Sequence, residues 1–248
     1  MDQVRKTALV TGASGGIGMA TAKLFAQNGY DIIIHYHHHV EKAQKLYDEI
    51  ITIESEALIV KADLSSEVEV KQMFDQIKSF KGRIDVLVNN AGILDKTSRL
   101  DQMNQARLEK IFKTNIVSYF LCSKYAVLQM STKYNGLGGV IINVSSKASV
   151  LGSANEYIDY AASKGAIDTL TKGLAQEVAE EGIRVNGIRP GFIDTAIHLD
   201  PNRLEKVKNN IPLKRIGKPL EVADAILFLA SNQSSYITGS MIDIAGGR

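Results

Sequence analysis

The chain lacks the cysteines that would brace or decorate it: among 248 residues Cys122 stands alone, so no intrachain disulfide forms and a structural zinc site has no thiolate companions. A reducing cytoplasm is the expected compartment. It also lacks an excess of either charge, with 29 Lys and Arg against 27 Asp and Glu for a net of +2. That balance excludes affinity built on neutralising phosphates along a duplex, so no nucleic-acid partner is expected. Apolar runs are broken by Gly, Asn or charge well before the ~18–20 residues that span a bilayer, and no membrane helix is expected. Arg5 and Lys6 ahead of 7–10 imitate a secretion signal, but the apolar stretch stops at Gly12 and reads as a first strand. There is no Pro/Ser-rich linker, no internal repeat and no low-complexity segment beyond His35, His37, His38 and His39. Hydrophobic residues at 45% and charged residues at 23% exclude a disordered or fibrous chain, and the length fits one α/β domain over 1–248.

What is present is alternation. Short apolar runs at 7–10, 31–35, 57–60, 86–88, 140–144, 184–188 and 241–244 read as buried strands. Amphipathic stretches at about 16–28, 41–54, 67–80, 104–131, 159–180 and 219–230 read as helices. Seven strands alternating with helices predict a doubly wound parallel sheet flanked by helices. The stretch 194–212 has weaker periodicity and holds two of the four prolines, Pro201 and Pro212, so it is the expected substrate lid.

After the first strand, Thr11-Gly12-Ala13-Ser14-Gly15-Gly16-Ile17-Gly18 leads into a helix. Glycines there let backbone N–H groups and the helix N-terminus approach a pyrophosphate. A tight βα turn would also use glycine, but the position in the first βα unit favours a nucleotide. Where an acid would hold the free ribose 2′-hydroxyl of NAD stands Tyr36, followed by His37, His38 and His39. No carboxylate repels a 2′-phosphate and the histidines can receive one, so NADP is favoured, with NAD the alternative. As a metal site the histidines lack an accompanying Asp, Glu or Cys, and no metal is expected. Asp63 is either an acceptor for an adenine amino group or a helix N-cap. Asn89-Asn90-Ala91-Gly92 is either part of the ligand edge or an Asx turn.

Tyr160 and Lys164, four apart, share a helix face. An ammonium beside a phenol favours the phenolate and brings acid/base chemistry nearer neutral pH. Solvated helices show that spacing by chance; here the strand 140–144 ends in Ser145-Ser146 and puts a hydroxyl pair at the same edge. One of these serines could polarise a carbonyl oxygen while Tyr160 exchanges its proton. Tyr157 has Ala161 rather than an amine four positions on and is expected to line the pocket. Cys122, in an apolar helix, reads as core packing.

Thr11-Gly12-x-x-x-Gly16-x-Gly18, Asn89-Asn90-Ala91-Gly92, Asn115, Ser146, Tyr160-x-x-x-Lys164 and Pro190-Gly191 followed by Thr195 together resemble the short-chain dehydrogenase/reductase family of the classical type, over essentially the whole chain. The run 156–170 and the ending 242–247 resemble bacterial oxidoreductases grouped with glucose and ribitol dehydrogenases. The resemblance implies a single-domain Rossmann fold and hydride transfer between NADP(H) and a carbonyl or alcohol of the sugar, polyol or small-ketone class. It also implies a homo-oligomer, a tetramer. Carried over, Tyr160 is the general acid/base, Lys164 its activator and ribose anchor, and Ser146 the carbonyl-polarising hydroxyl. Asn115 is the helix-breaking residue that holds a water of the proton relay. The implied cofactor contacts are Gly12, Ser14, Gly16, Ile17, Gly18, Tyr36, His37, Asp63, Leu64, Asn90, Ala91, Gly92, Tyr160, Lys164, Pro190, Gly191, Ile193 and Thr195. Among them Asn90 and Gly92 flank the ribose and Thr195 holds the nicotinamide carboxamide.

Two positions depart from the family pattern. Ser146 and Tyr160 are fourteen residues apart, one more than the commonest spacing, which leaves Ser145 as the competing hydroxyl. His37 stands where NADP-preferring members usually have Arg. The competing activity is 3-oxoacyl-[acyl-carrier-protein] reduction, which needs a basic docking patch, with Lys124, Lys133, Arg203, Lys206 and Lys208 as candidates. A non-catalytic nicotinamide sensor is the alternative of another class, and it would need no Ser146, Tyr160 and Lys164. Substrate choice is expected to rest on 194–212 and on Ala148, Leu151, Ser153 and Tyr157.

Overall fold

The computed structural model describes residues 5–195 and 207–248. Seven strands, β1 (Lys6–Val10), β2 (Tyr30–Tyr36), β3 (Ala57–Lys61), β4 (Val86–Asn89), β5 (Gly139–Val144), β6 (Ile183–Pro190) and β7 (Met241–Ile244), form one sheet in the order β3-β2-β1-β4-β5-β6-β7. Every pairing is parallel. The helices are α1 (Gly16–Gln27), α2 (Val40–Ile51), α3 (Glu67–Lys81), α4 (Gln105–Phe112), α5 (Ser118–Met130), α6 (Ala148–Leu151), α7 (Ile158–Val178) and α8 (Pro219–Ala230). Among the described residues no helix is long and apolar enough to cross a membrane.

Strand residues point alternately to the two faces, and both faces are apolar. Ala8, Val10, Ile32, Ile34, Val86, Val88, Ile142 and Val144 pack with Phe25 of α1, Leu46 of α2 and Ile226 of α8. Their neighbours Leu9, Ile33, Leu87 and Ile141 pack on the other face with Phe74 of α3, Cys122 and Met130 of α5 and Val178 of α7. Each fully buried Leu, Ile or Phe contributes about 1.5–3 kcal/mol, so the double-sided core is a main source of the sheet's stability. Cys122 is core packing, as read; burial pushes its thiol up to about 12.

The chain leaves β1 toward β2 on one side and returns to β4 on the other, so the switch point lies between β1 and β4, where open α/β sheets bind ligands. The helix expected over 104–131 is divided: the five residues Lys113–Val117 between α4 and α5 form a π-helical turn. The wider turn places Asn115 wholly inside, and the amphipathic pattern runs through it without interruption. The single turn α6 was too short for periodicity to reveal. The expected lid at 194–212 falls mostly outside the described residues. Its described ends are anchored, by Asp194 N–H to Gly217 O at 2.9 Å and by the buried Ile211.

Candidate active site

The glycine turn is built by long-range bonds. Thr11 Oγ1 donates to Val88 O at 3.2 Å and accepts from Asn90 N at 2.8 Å and Ala91 N at 3.0 Å. Asn90 Nδ2 donates to Thr11 O at 2.9 Å and Gly12 O at 3.3 Å, which ties the end of β4 to the turn. Gly12, at φ +64°, lies so close that an added Cβ would be 3.0 Å from Ala91 Cα, and one on Gly18 would be 2.5 Å from Gly12 O. Neither Asn89 nor Asn90 makes an Asx turn: Asn89 Nδ2 donates to Ser123 Oγ at 3.1 Å and Asn143 Oδ1 at 3.0 Å, a buried polar bridge from α5 to β5.

His35 separates from its histidine neighbours. Its Nδ1 accepts from Gly12 N at 3.0 Å, so Nε2 carries the proton and donates to Ala62 O at 3.0 Å. Burial pushes its pKa down to about 4, and the ring is a neutral peg between the glycine turn and the end of β3. Asp63 takes Ser65 N at 2.9 Å and Ser65 Oγ at 2.8 Å on one oxygen, while Ser66 caps α3, so the N-cap reading of Asp63 is corrected. Burial opposes its ionisation, yet the Ser65 bonds and the nearby His37 and His38 hold the carboxyl below its usual range.

A cavity of about 720 Å³ opens over this turn, lined by Gly12, Ser14, Gly16, Ile17, His37, Asp63, Leu64, Asn90, Ala91, Gly92 and Thr195 from the expected set. Tyr36 and Gly18 are not on its wall: Tyr36 packs against the apolar cluster beneath α1 and α2, and Gly18 lies under the turn. His38, His39 and Lys42 join the rim. Lys42 was missed. It stands in the first turn of α2 beside Glu41, which already offsets its charge there, so the helix pattern alone did not mark it.

At the end of β5 consecutive serines diverge. Ser145 is buried, its hydroxyl 2.5 Å from Asp168 Oδ1 and 3.0 Å from Lys164 O, and Asp168 also pairs with Arg189 at 2.9 Å. Ser146 instead lines the cavity together with Tyr160, and its Oγ accepts from Ala148 N at 3.1 Å. Burial raises the Tyr160 pKa and Ser146 works against that rise. Lys164 is buried, and its amine donates to Val144 O at 2.8 Å and Tyr119 Oη at 3.1 Å, with the Tyr160 ring centroid 5.8 Å away. Tyr119, itself bonded to Val144 O at 2.8 Å, was not foreseen, because its contact comes from α5 across the sheet edge. Burial lowers the Lys164 pKa to about 7.

Asn115 lines neither cavity. Its side chain pairs with both backbone groups of Ile93, at 2.8 and 3.0 Å, and reaches Ser163 Oγ at 3.2 Å, so it fastens the loop that carries Gly92. A second cavity, of about 410 Å³, is lined by Ser146, Tyr160, Lys164, Pro190, Gly191 and Ile193, together with Ala148, Leu151, Ser153 and Tyr157. Ile17, Asn90, Gly92 and Thr195 line both cavities and join them. Ser146→Ala is expected to lower kcat far more than Ser145→Ala. Ser145→Ala should cost about 1–3 kcal/mol of stability, seen as a lower Tm. The reverse ranking in kcat would make Ser145 the reacting hydroxyl.

A nucleotide-sized cavity opening onto a Ser–Tyr–Lys cluster at the switch point of a parallel sheet is what a dinucleotide-dependent oxidoreductase requires. A family model described as Enoyl-(Acyl carrier protein) reductase matches residues 12–248. The chain is 49% identical over 244 residues to the uncharacterized oxidoreductase YgfF of Escherichia coli K12, covering 97% of this chain and 99% of that one. It is 38% identical over 252 residues to the chloroplastic NADPH-dependent aldehyde reductase 1 of Arabidopsis thaliana, covering 98% and 85%. The 3-oxoacyl-[acyl-carrier-protein] reductase FabG of Staphylococcus epidermidis is 36% identical over 246 residues, covering 98% and 99%. A short chain dehydrogenase from Burkholderia cenocepacia, solved in complex with NADP, superposes with a TM-score of 0.91 at 31% identity, covering 98% and 97%. The chain belongs to the short-chain dehydrogenase/reductase family of oxidoreductases.

Proposed function

We propose that the protein moves hydride between NADP(H) and the carbonyl or alcohol group of a small sugar, polyol or ketone. The observation that carries this reading is the placement of Ser146, Tyr160 and Lys164 together on the wall of the 410 Å³ cavity, which shares Ile17, Asn90, Gly92 and Thr195 with the larger one. The first cavity suits the dinucleotide: at Gly16, where φ is +54°, an added Cβ would meet Thr195 at 3.2 Å and crowd the passage between the cavities. NADPH supplies the hydride when bound. The Ser146 hydroxyl donates to the carbonyl oxygen, and Tyr160 gives its proton to the same oxygen as it becomes an alcohol. Lys164, fixed by Tyr119 and Val144 O, holds the ribose and biases the phenol, and Thr195 holds the carboxamide. Asn115 acts as a positioning residue through the Gly92 loop. A panel of sugars, polyols, ketones and acyl thioesters, assayed with each cofactor, tests the reading; no turnover with any of them overturns it.

For cofactor choice, the absence of a carboxylate at the end of β2 and the rim of Lys42 and His37 support NADP. The expected result is a higher kcat/KM with NADP than with NAD, reduced several-fold in Lys42→Ala. Equal or better efficiency with NAD in the unsubstituted enzyme overturns the assignment. The relatives that reduce 3-oxoacyl carrier-protein substrates keep acyl thioesters in the panel. The docking patch is weak support for them: Lys124 pairs with Glu67 at 2.6 Å, and Arg203 and Lys206 lie outside the described residues. A sensor would have no use for the Ser146–Tyr160 pair. The proposal extends to a single-domain subunit of a cytoplasmic homotetramer. Exposed Phe112, Val117, Phe120 and Leu128 along the α4–α5 run support subunit contact, and a monomer in sedimentation at micromolar concentration argues against it.

A further inference from the structure

We infer that Arg248 anchors an anionic group of the substrate, a carboxylate or a phosphate, in the cavity where Ser146 and Tyr160 meet the carbonyl. This rests on the hydride-transfer reading and adds the charge class of the substrate to it. Arg248 lies on the wall of the 410 Å³ cavity with Phe192 beside it, its guanidinium carbon 4.7 Å from the centre of the Phe192 ring. A guanidinium lying over an aromatic face keeps its N–H edge available to a bidentate anion.

The decisive observation is a comparison with the other arginines. Arg5, Arg83, Arg99, Arg107, Arg189 and Arg215 each pair with a carboxylate. Arg184 instead donates to Ser234 and to backbone carbonyls of Ser231 and Ile237. Among the described residues only the Arg248 guanidinium has neither an ion pair nor a hydrogen bond, and it is the one that faces the reaction cavity. The other two cations of that wall are satisfied: Lys147 holds Asp243 at 2.5 Å, and Lys164 is bonded to Val144 O and Tyr119. A solvated arginine needs no partner, which is the competing account. Arg248, however, belongs to a segment seated on the chain after 210. Leu213 N donates to Gly246 O at 3.1 Å, and an added Cβ on Gly247 would be 3.0 Å from Pro212. A cavity of this size, with the proton donor within it and a cation on its wall, fits a short oxo or hydroxy acid or a small sugar phosphate.

The test uses matched pairs, a neutral ketone against the oxo acid of equal length and a sugar against its phosphate, with the unsubstituted enzyme, Arg248→Lys and Arg248→Met. The expected result is a preference of about tenfold or more in kcat/KM for the anionic member of one pair, lost in Arg248→Met through KM with little change in kcat. Arg248→Lys should retain part of it, and kcat/KM for the neutral member should stay within twofold. Which pair shows the preference separates carboxylate from phosphate. A preference for the neutral members, or an equal loss on both members in Arg248→Met, overturns the inference. If nothing turns over, the hydride-transfer reading fails, and ligand-induced Tm shifts still decide the site. A short dicarboxylate or inorganic phosphate raising Tm in the unsubstituted protein but not in Arg248→Met sustains the anion site. Equal shifts in both remove it.

Discussion

Tyr160→Phe is expected to lower kcat by about 10²–10⁴-fold, the range that positioned acid/base groups supply, while cofactor affinity stays within a few-fold. The ring remains to fill its place on α7, so only the hydroxyl is lost. In the proposed mechanism that hydroxyl is needed as the proton moves, so the loss belongs mainly in kcat. Burial holds the phenol protonated, the form that can donate to a carbonyl oxygen during reduction. Stopped-flow reduction of an accepted ketone, with fluorescence titration of the cofactor alongside, checks both halves. A variant that keeps more than about a tenth of kcat removes Tyr160 from the role.

Lys164→Met is expected to damage two quantities at once, because in the proposed mechanism one amine serves both ribose and phenol. Losing a charged hydrogen bond to the ribose should weaken cofactor binding roughly 10- to 100-fold, and kcat should fall beyond that. The pH dependence follows from burial. With its pKa lowered to about 7, the free enzyme's amine is an ammonium below that pH and neutral above it. Cofactor affinity in the unsubstituted protein should therefore weaken as pH rises from 6 to 8, and Lys164→Met should lack that dependence. Unchanged affinity in the variant would leave Lys164 with the phenol alone.

The sheet was legible because strands buried on both faces must be continuously apolar, and runs such as 31–35 and 140–144 are. The glycine turn was legible for a similar reason: at Gly12 backbone conformation and close approach both exclude a side chain. What remained hidden depends on contacts between distant residues. Ser145 and Ser146 are chemically identical, and only the position of Asp168 on α7 separates a structural hydroxyl from one facing the cavity. The Asn115 side chain carries a loop instead of lining the site, which follows from Ile93 lying opposite it. Lys42 and Tyr119 come to their places on α2 and α5, and no spacing rule within one element reports a neighbour on another.

The histidine run at 35–39 therefore holds two kinds of residue, and the buried one sets an acid limit on the fold of the nucleotide turn. An unfolded histidine takes a proton near pH ~6.5. His35 in the folded chain resists until about pH 4. Since the folded pKa is depressed, the stability linked to this ring is complete above ~6.5 and drains away as pH falls toward 4. Once protonated, Nδ1 becomes a donor facing the Gly12 N–H, and the turn loses the acceptor that shapes it. Acidification toward pH 4 should thus release nucleotide by loosening the turn's backbone, and His35 acts as a hinge pin that corrodes in acid.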